Sequence, residues 1–493
     1  MGKERKKRPS PSFLSQHCAG LQNSANSGSP AGINSEVSEK SQSLINSFYS
    51  EFGISLDGYS RLQQAVYWAD PDRSITNVSM STSPAHTTFI IENLKESYQT
   101  GEELFVTVHA KDFDNKSKSY GGDFFQAKLC TQNIPLSQAS VFGEVVDLLN
   151  GSYSVRFLLP WVGEAQVAVR LIHSSEVVQV LKHHRDTDSD RVYFYGFYEG
   201  PGPNKTRLSE AVMCNVKWDK NGLEHMGTGD CCCEYKDPCT EEIWRCQRPK
   251  SLPCSALVYH SMGGYRNHVA EKCHPGLHTP VPAGFYLNDV WTSFVCSTRH
   301  FTTQTTTESL KQMNLHVQYQ SGPLLAVDVK NNIDLHWRAH GVPLRSRKSA
   351  VANLHYISNE IDGLAGGPHM VIMFNLGPHF TTYPLDFFTH RVLRIRKAVL
   401  ALLQRAPDTT VCLIRVGTKL CRKLDLEDIF GSDWYSLQLD RILRWAFQDV
   451  GVYILDVWQM TACHYSKENI HPGTVIIKNE IDILLSFVCP VYI

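Results

Sequence analysis

The sequence predicts a multidomain chain: an immunoglobulin-like β-sandwich, then a Cys-rich connector, then an α/β domain. Three observations carry that reading. Apolar and polar residues alternate with period two through Phe105–Asp112, Ser152–Phe157 and Ala165–Leu171, as in strands with one buried face. Nine of the 15 cysteines fall between Cys214 and Cys296. A strand, helix, strand, helix, strand succession runs from Val371 to Asp456, which predicts an open, mostly parallel sheet with helices on both faces.

Composition sets the outer limits. The 493 residues carry 48 Lys+Arg against 49 Asp+Glu, a net charge of −1. That balance excludes a nucleic-acid polycation or an acidic solvating tail, so no nucleic-acid partner is expected. Hydrophobic residues make up 42 %, enough for a sizeable core. No apolar run reaches the ~18–20 residues of a membrane-spanning helix.

Residues 1–86 are rich in Ser, Asn, Gln and Lys and predict a disordered tail or linker, with one helical stretch over 41–50. Met1 to Arg8 reads MGKERKKR with no apolar segment behind it, so no secretory signal peptide is visible. The expectation is a chain that begins downstream of its targeting segment.

The sandwich is predicted over 87–210. Asn150-Gly151 is a tight-turn signal between its strands. The connector spans 211–300, where Pro and Gly are frequent and strand alternation is lost. Its cysteines are Cys214, Cys231, Cys232, Cys233, Cys239, Cys246, Cys254, Cys273 and Cys296. None of them shows the C-x2-C spacing of a zinc site, so a disulfide framework in an oxidising compartment is the better reading and no metal is expected. Their odd number leaves at least one to pair elsewhere or stay free. N-x-[ST] sequons at Asn77, Asn115, Asn150 and Asn204 point to the same compartment as candidate glycosylation sites.

The α/β domain is predicted over 301–493. Leu324–Val329 is a strand, and Val371–Leu376 is a continuous apolar run suited to a parallel strand. The helix that follows presents Phe388, Val392, Ile395, Val399 and Leu402 on one face. Thr410–Val416 is a strand, Trp434–Phe447 a helix capped by Ser432 or Asp433, and Gly451–Asp456 a strand. In such sheets chemistry sits outside the carboxyl ends of the strands. Asn375 and the Gly377 backbone N–H are candidate oxyanion donors there. Asp456 ends its strand. Glu468 lies three residues before His471, a spacing at which a carboxylate can orient an imidazole acting as general base. The competing reading of His471-Pro472 is a surface turn. A hydrolase of this architecture also needs a nucleophilic Ser after the first strand, and Gly-Asp-Ser occurs nowhere in the chain.

Several short motifs together resemble those of the neurexophilin and PC-esterase domain (NXPE) family. They are Tyr120-Gly-Gly-Asp-Phe124, Asn150-Gly-Ser-Tyr153, Leu171-Ile-His-Ser-Ser-Glu176, Trp244-Arg-Cys246, Leu252-Pro-Cys254, His340-Gly-Val-Pro343, Leu376-Gly-Pro-His-Phe380, Asp456-Val-Trp-Gln-Met-Thr461 and His471-Pro472. The resemblance runs from about Thr87 to the C-terminus. It implies a secreted or Golgi-lumenal glycoprotein with a neurexophilin-like sandwich and an SGNH-like (PC-esterase) domain. The chemistry it implies is O-acetyl transfer or ester hydrolysis on sialic acid or another glycan, with His471 at the catalytic position, Glu468 where an Asp is usual, and acetyl-CoA as a candidate donor. It further implies a glycan acceptor or a cell-surface receptor as partner. Where the family carries Gly-Asp-Ser, this chain passes from Cys296 to Lys311-Gln-Met-Asn-Leu315, so the nucleophile is absent and the doubly wound sheet is expected to be incomplete. Pro378 and Thr381-Thr382 replace the polar and basic residues usual around Gly-x-His-Phe. These departures read as a shortened or alternatively spliced form, in which the domain is expected to be non-catalytic.

Overall fold

The computed structural model describes residues 49–71, 78–131, 139–187, 192–217, 232–265, 284–287, 290–293, 310–316, 322–344, 347–415, 431–464 and 472–488. The chain is mostly sheet, largely antiparallel, with one parallel sheet near its C-terminus.

The stretch expected as tail contains structure from Tyr49 onward; the helix expected over 41–50 lies almost wholly outside the described residues. Helix α1 (Leu56–Val66) is capped by Ser55, whose Oγ accepts the Gly58 N–H at 3.1 Å. It is held from a distance in sequence: the Trp445 indole N–H donates to the Gly58 carbonyl at 2.9 Å. Local composition reads as polar linker because these anchors are tertiary.

Strands β1 (Thr88–Ile91), β2 (Glu103–His109), β3 (Phe124–Thr131), β4 (Ser140–Asp147), β5 (Ser152–Leu158) and β6 (Ala165–His173) pair antiparallel. The alternation holds: Val106, Val108, Tyr153, Val155 and Phe157 point inward. β4 serves two neighbours in turn, pairing β3 over Ser140–Gly143 and β5 over Glu144–Asp147. Gly151 sits at φ +83°, and a Cβ there would meet the Lys118 carbonyl oxygen at 2.1 Å. Helix α2 (Ser175–Thr187) closes this region.

Strands β7 (Val192–Pro201), β8 (Arg207–Lys217), β9 (Cys232–Lys236), β10 (Ile243–Gln247) and β11 (Leu257–Tyr265) form a second antiparallel sheet in the order β11-β7-β8-β10-β9. The expected loss of strand structure after 211 is therefore overturned. The inward positions there are taken by Cys214, Cys233, Cys246 and Trp244, so cysteine replaces the aliphatic residues that make alternation visible. Disulfides Cys214–Cys246 and Cys233–Cys254 staple this sheet. Strands β12 (Gly284–Leu287) and β13 (Val290–Ser293) extend the first sheet through β4.

Strands β14 (Lys311–Met313), β15 (Leu324–Asp328) and β16 (Ile333–Trp337) make a small antiparallel sheet, and β17 (Ser349–Ala350) pairs with β11. After the short helix α3 (Ile357–Asp362) comes the predicted alternation: β18 (Val371–Asn375), α4 (Leu385–Arg405), β19 (Thr410–Arg415), α5 (Asp433–Phe447) and β20 (Tyr453–Asp456). The strands are parallel in the order β18-β19-β20. All five apolar residues assigned to one face of α4 are at 0 % exposure. Ser432 caps α5, accepting the Trp434 N–H at 3.0 Å.

The central strand β19 of the parallel sheet is covered on both faces. Phe374, Val411 and Leu413 join α4 and α5 in the main core. On the other face, Cys412 and Leu455 pack with residues of α6 (Trp458–Cys463) and α7 (Thr474–Val488), and with Phe142 from β4. β18 pairs only with β19 among the described residues, and Val371 and Met373 stand exposed on it. The two halves of the chain thus share buried surface.

Candidate functional site at the carboxyl edge of the parallel sheet

Asn375 is the last residue of β18 and is solvent-exposed. Gly377 follows in extended backbone, φ 174°, and its carbonyl accepts the Phe380 N–H at 2.8 Å in the single turn Pro378–Phe380. A Cβ at Gly377 would meet nothing within 4 Å, so the backbone here is open to approach. Both expected oxyanion donors therefore stand at the carboxyl end of the strand.

Asp456 ends β20. The register places β19 between it and Asn375, which leaves two strand spacings, roughly 10 Å, between the two backbones. Asp456 accepts a hydrogen bond from the Arg444 guanidinium in the last turn of α5. Its charge is thus met by a cation that sequence spacing did not reveal. Glu468 and His471 lie outside the described residues.

Two histidines join this edge that were not singled out as site residues. The rings of His340 and His379 lie 5.1 Å apart between centroids, and His340 also faces Phe380 at 6.3 Å. The motifs His340–Pro343 and Leu376–Phe380 therefore meet in space. Burial, reinforced by His379 and Arg391, holds the His340 imidazole well below its ordinary value, so it is neutral at pH 7. Its Nε2 is buried without a hydrogen-bond partner. Arg391 anchors the cluster from α4: it donates to the Val342 carbonyl and to Glu242, and stacks on Tyr356 at 4.7 Å. The arrangement brings an exposed amide side chain, a glycine with open space on its Cβ side and a buried neutral imidazole to one edge. Among the described residues no three His, Cys, Asp or Glu side chains group as a metal site.

Three sequon asparagines are exposed in turns. Asn115 lies at φ +62°, Asn204 at φ +57°, and the Asn150 Oδ1 accepts the Ser152 N–H at 3.0 Å. Asn77 lies outside the described residues. Of the cysteines in the expected framework, Cys232 is disulfide-bonded along with the four already named, whereas Cys239 is an exposed free thiol. Its surface position gives it no partner within the sheet that the other bridges staple. Cys231, Cys273 and Cys296 lie outside the described residues. No described helix is long and apolar enough to cross a membrane.

Comparison with known families matches two parts of the chain. Residues 73–286 match the neurexophilin family model. Residues 294–489 match the model described as NXPE family member 4-like, C-terminal domain. No solved structure matches the chain.

Proposed function

Because the chain belongs to the NXPE family, we propose that it is a secreted or Golgi-lumenal glycoprotein with a non-catalytic C-terminal domain. In this reading the N-terminal half is an immunoglobulin-like, neurexophilin-like sandwich. The C-terminal half is an SGNH/PC-esterase-like domain that lacks its nucleophile and engages a glycan or a cell-surface receptor without turnover. The observation that carries the reading is the absence of Gly-Asp-Ser from the sequence, which leaves the domain without the nucleophile that such chemistry needs.

A second reading is a glycan O-acetyltransferase in which His471 is general base, Glu468 orients it, and Asn375 and Gly377 hold the oxyanion. The open approach to Gly377 favours it. The acetyl group would pass from a donor such as acetyl-CoA to a glycan hydroxyl, the thioester C–S bond breaking as the ester C–O bond forms, and the hydroxyl proton would go to His471 and on to the departing thiolate.

The two are separated by incubating the purified, secreted chain with acetyl-CoA and a sialylated glycan, and separately with an O-acetylated glycan. The non-catalytic reading expects neither transfer nor release, and no labelling by a serine-directed fluorophosphonate. Turnover that His471→Ala abolishes would establish the second reading.

A further inference from the structure

A second polar assembly lies inside the sandwich, where the motifs Tyr120–Phe124, Asn150–Tyr153 and Leu171–Glu176 converge. The Lys118 ammonium, its side chain 3 % exposed, meets Glu176 Oε1 at 2.6 Å. The Tyr120 hydroxyl donates to the same oxygen at 2.7 Å, and the Ser81 hydroxyl to Oε2 at 3.1 Å. Lys118 is thereby committed to Glu176.

Asp123 is buried beside this pair with no cation of its own. Its Oδ1 accepts the Thr82 hydroxyl at 2.7 Å and the Ser175 N–H at 2.8 Å, while Oδ2 is buried without a hydrogen-bond partner. The other groups around it do not neutralise it. Asp147 of β4 accepts the Gly122 N–H at 2.6 Å, the Tyr153 hydroxyl of β5 accepts the Asp123 N–H at 3.0 Å, and His173 of β6 is turned to the Ser432 hydroxyl at 2.6 Å. Burial first, then the Glu176 charge, drives the Asp123 carboxyl up to about 6, against Thr82, Ser175 and Lys118.

The groups that Asp123 holds belong to different elements. Thr82 lies in the segment 78–87, which is fixed to the sandwich by Ser83 N–H to Lys111 O at 2.7 Å and Phe113 N–H to Ser79 O at 2.9 Å. Ser175 opens α2. The neighbouring Gly122, at φ +95°, receives the Trp68 indole N–H on its carbonyl at 2.9 Å.

We propose that Asp123 is a proton-operated latch: its protonation in a mildly acidic compartment tightens the hold of the sandwich on segment 78–87 and on the start of α2, and its ionisation at neutral pH loosens it. The sign follows from linkage. The folded carboxyl is raised above its ordinary value, so the folded state gains protons first, and stability is gained as pH falls through about 6.

Amide hydrogen exchange of the full chain at pH 7 and pH 5, corrected for intrinsic rates, tests this at Ser83, Phe113 and Ser175. The expected result is a change in protection from pH 7 to pH 5 that is ~10-fold more favourable in the native chain than in Asp123→Asn. Equal pH dependence in the two chains would overturn it. Should Asp123→Asn fail to fold, the Asp123 carboxyl is titrated directly by selective 13C labelling. A midpoint near 6 supports the latch, and one below about 4.5 overturns it.

Discussion

Arg391 and Glu242 meet in the interior between α4 and the β9–β10 hairpin, Nε to Oε2 at 3.0 Å and Nη2 to Oε1 at 2.6 Å. Their side chains are 2 % and 10 % exposed. The pair joins the half that matches the neurexophilin model to the half that matches the NXPE C-terminal model, and Tyr356 ties into it by donating to Glu242 at 3.0 Å. Burial raises the Glu242 carboxyl, and the Arg391 charge opposes that rise. Removing Arg391 leaves an unpaired acid in the core, which costs about 3–5 kcal/mol. Arg391→Ala should therefore lower the denaturant midpoint of the whole chain, and Arg391→Lys, which lacks the second arm of the fork, should recover only part of the loss. A loss under about 1 kcal/mol, the range of exposed pairs, would show that the pair does not hold the halves together.

The Cys214–Cys246 bridge spans a separation of 32 residues and links directly opposed positions on β8 and β10. Chain-entropy arguments put the stabilisation from closing such a loop at about 3–4 kcal/mol. The double variant Cys214→Ala with Cys246→Ala should melt at clearly lower temperature, and reductant should bring the native chain down toward it. Identical melting with and without reductant would remove the bridge from the list of stabilising features.

These two contacts mark where the sequence was legible and where it was not. The helix α4 announced itself because Phe388, Val392, Ile395, Val399 and Leu402 repeat at the helical period, and all five are buried. The strands β9 and β10 did not, because each has only five residues and its inward positions include Cys233 and Cys246. Cysteine clustering identified the disulfide framework but hid the sheet it staples. At the candidate site, Asn375, Gly377 and Asp456 were placed at strand ends by topology alone. The partner of Asp456 was not legible, since Arg444 meets it only through the packing of α5 against β20. The meeting of His340 with His379 is likewise a tertiary event between two motifs 39 positions apart.

His260 is 0 % exposed and packs against the rings of Phe194 at 4.7 Å and Trp244 at 5.5 Å, with neither nitrogen hydrogen-bonded. Burial pushes its imidazole down to about 3. The unfolded chain therefore takes up a proton near pH 6.5 that the folded chain refuses, and stability is lost as pH falls from there toward 3. Between pH 7 and pH 5 the contribution is about 2 kcal/mol. It opposes the gain from Asp123, so the two are separated by variants rather than by a single pH curve. His260→Phe should be less sensitive than the native chain to that acidification, whatever its packing cost at pH 7. An unchanged difference between the two pH values would place a charge-compatible partner beside the ring.

Phe142 carries the same interlocking into the second core. It belongs to β4 of the first antiparallel sheet, is 1 % exposed, and packs with Cys412, Leu455, Met460, Cys463, Ile476 and Ile483 beneath the parallel sheet. Ser140, two residues earlier, donates its hydroxyl to the Cys463 carbonyl at 3.1 Å. A cavity left by Phe142→Ala costs about 3–5 kcal/mol, and its walls belong to the other half of the chain. Cys412 and Cys463 are buried and outside any disulfide, and burial pushes Cys412 up to about 11, so both should resist a thiol reagent at neutral pH in the native chain. Free Cys239, exposed, should react at once in either form. In Phe142→Ala the labelling of Cys412 and Cys463 should accelerate along with the drop in stability, because Phe142 packs in the same buried cluster as both. Labelling that stays slow despite the lost stability would mean the damage is confined to the antiparallel sheet of β4, and that the parallel sheet folds without its neighbour.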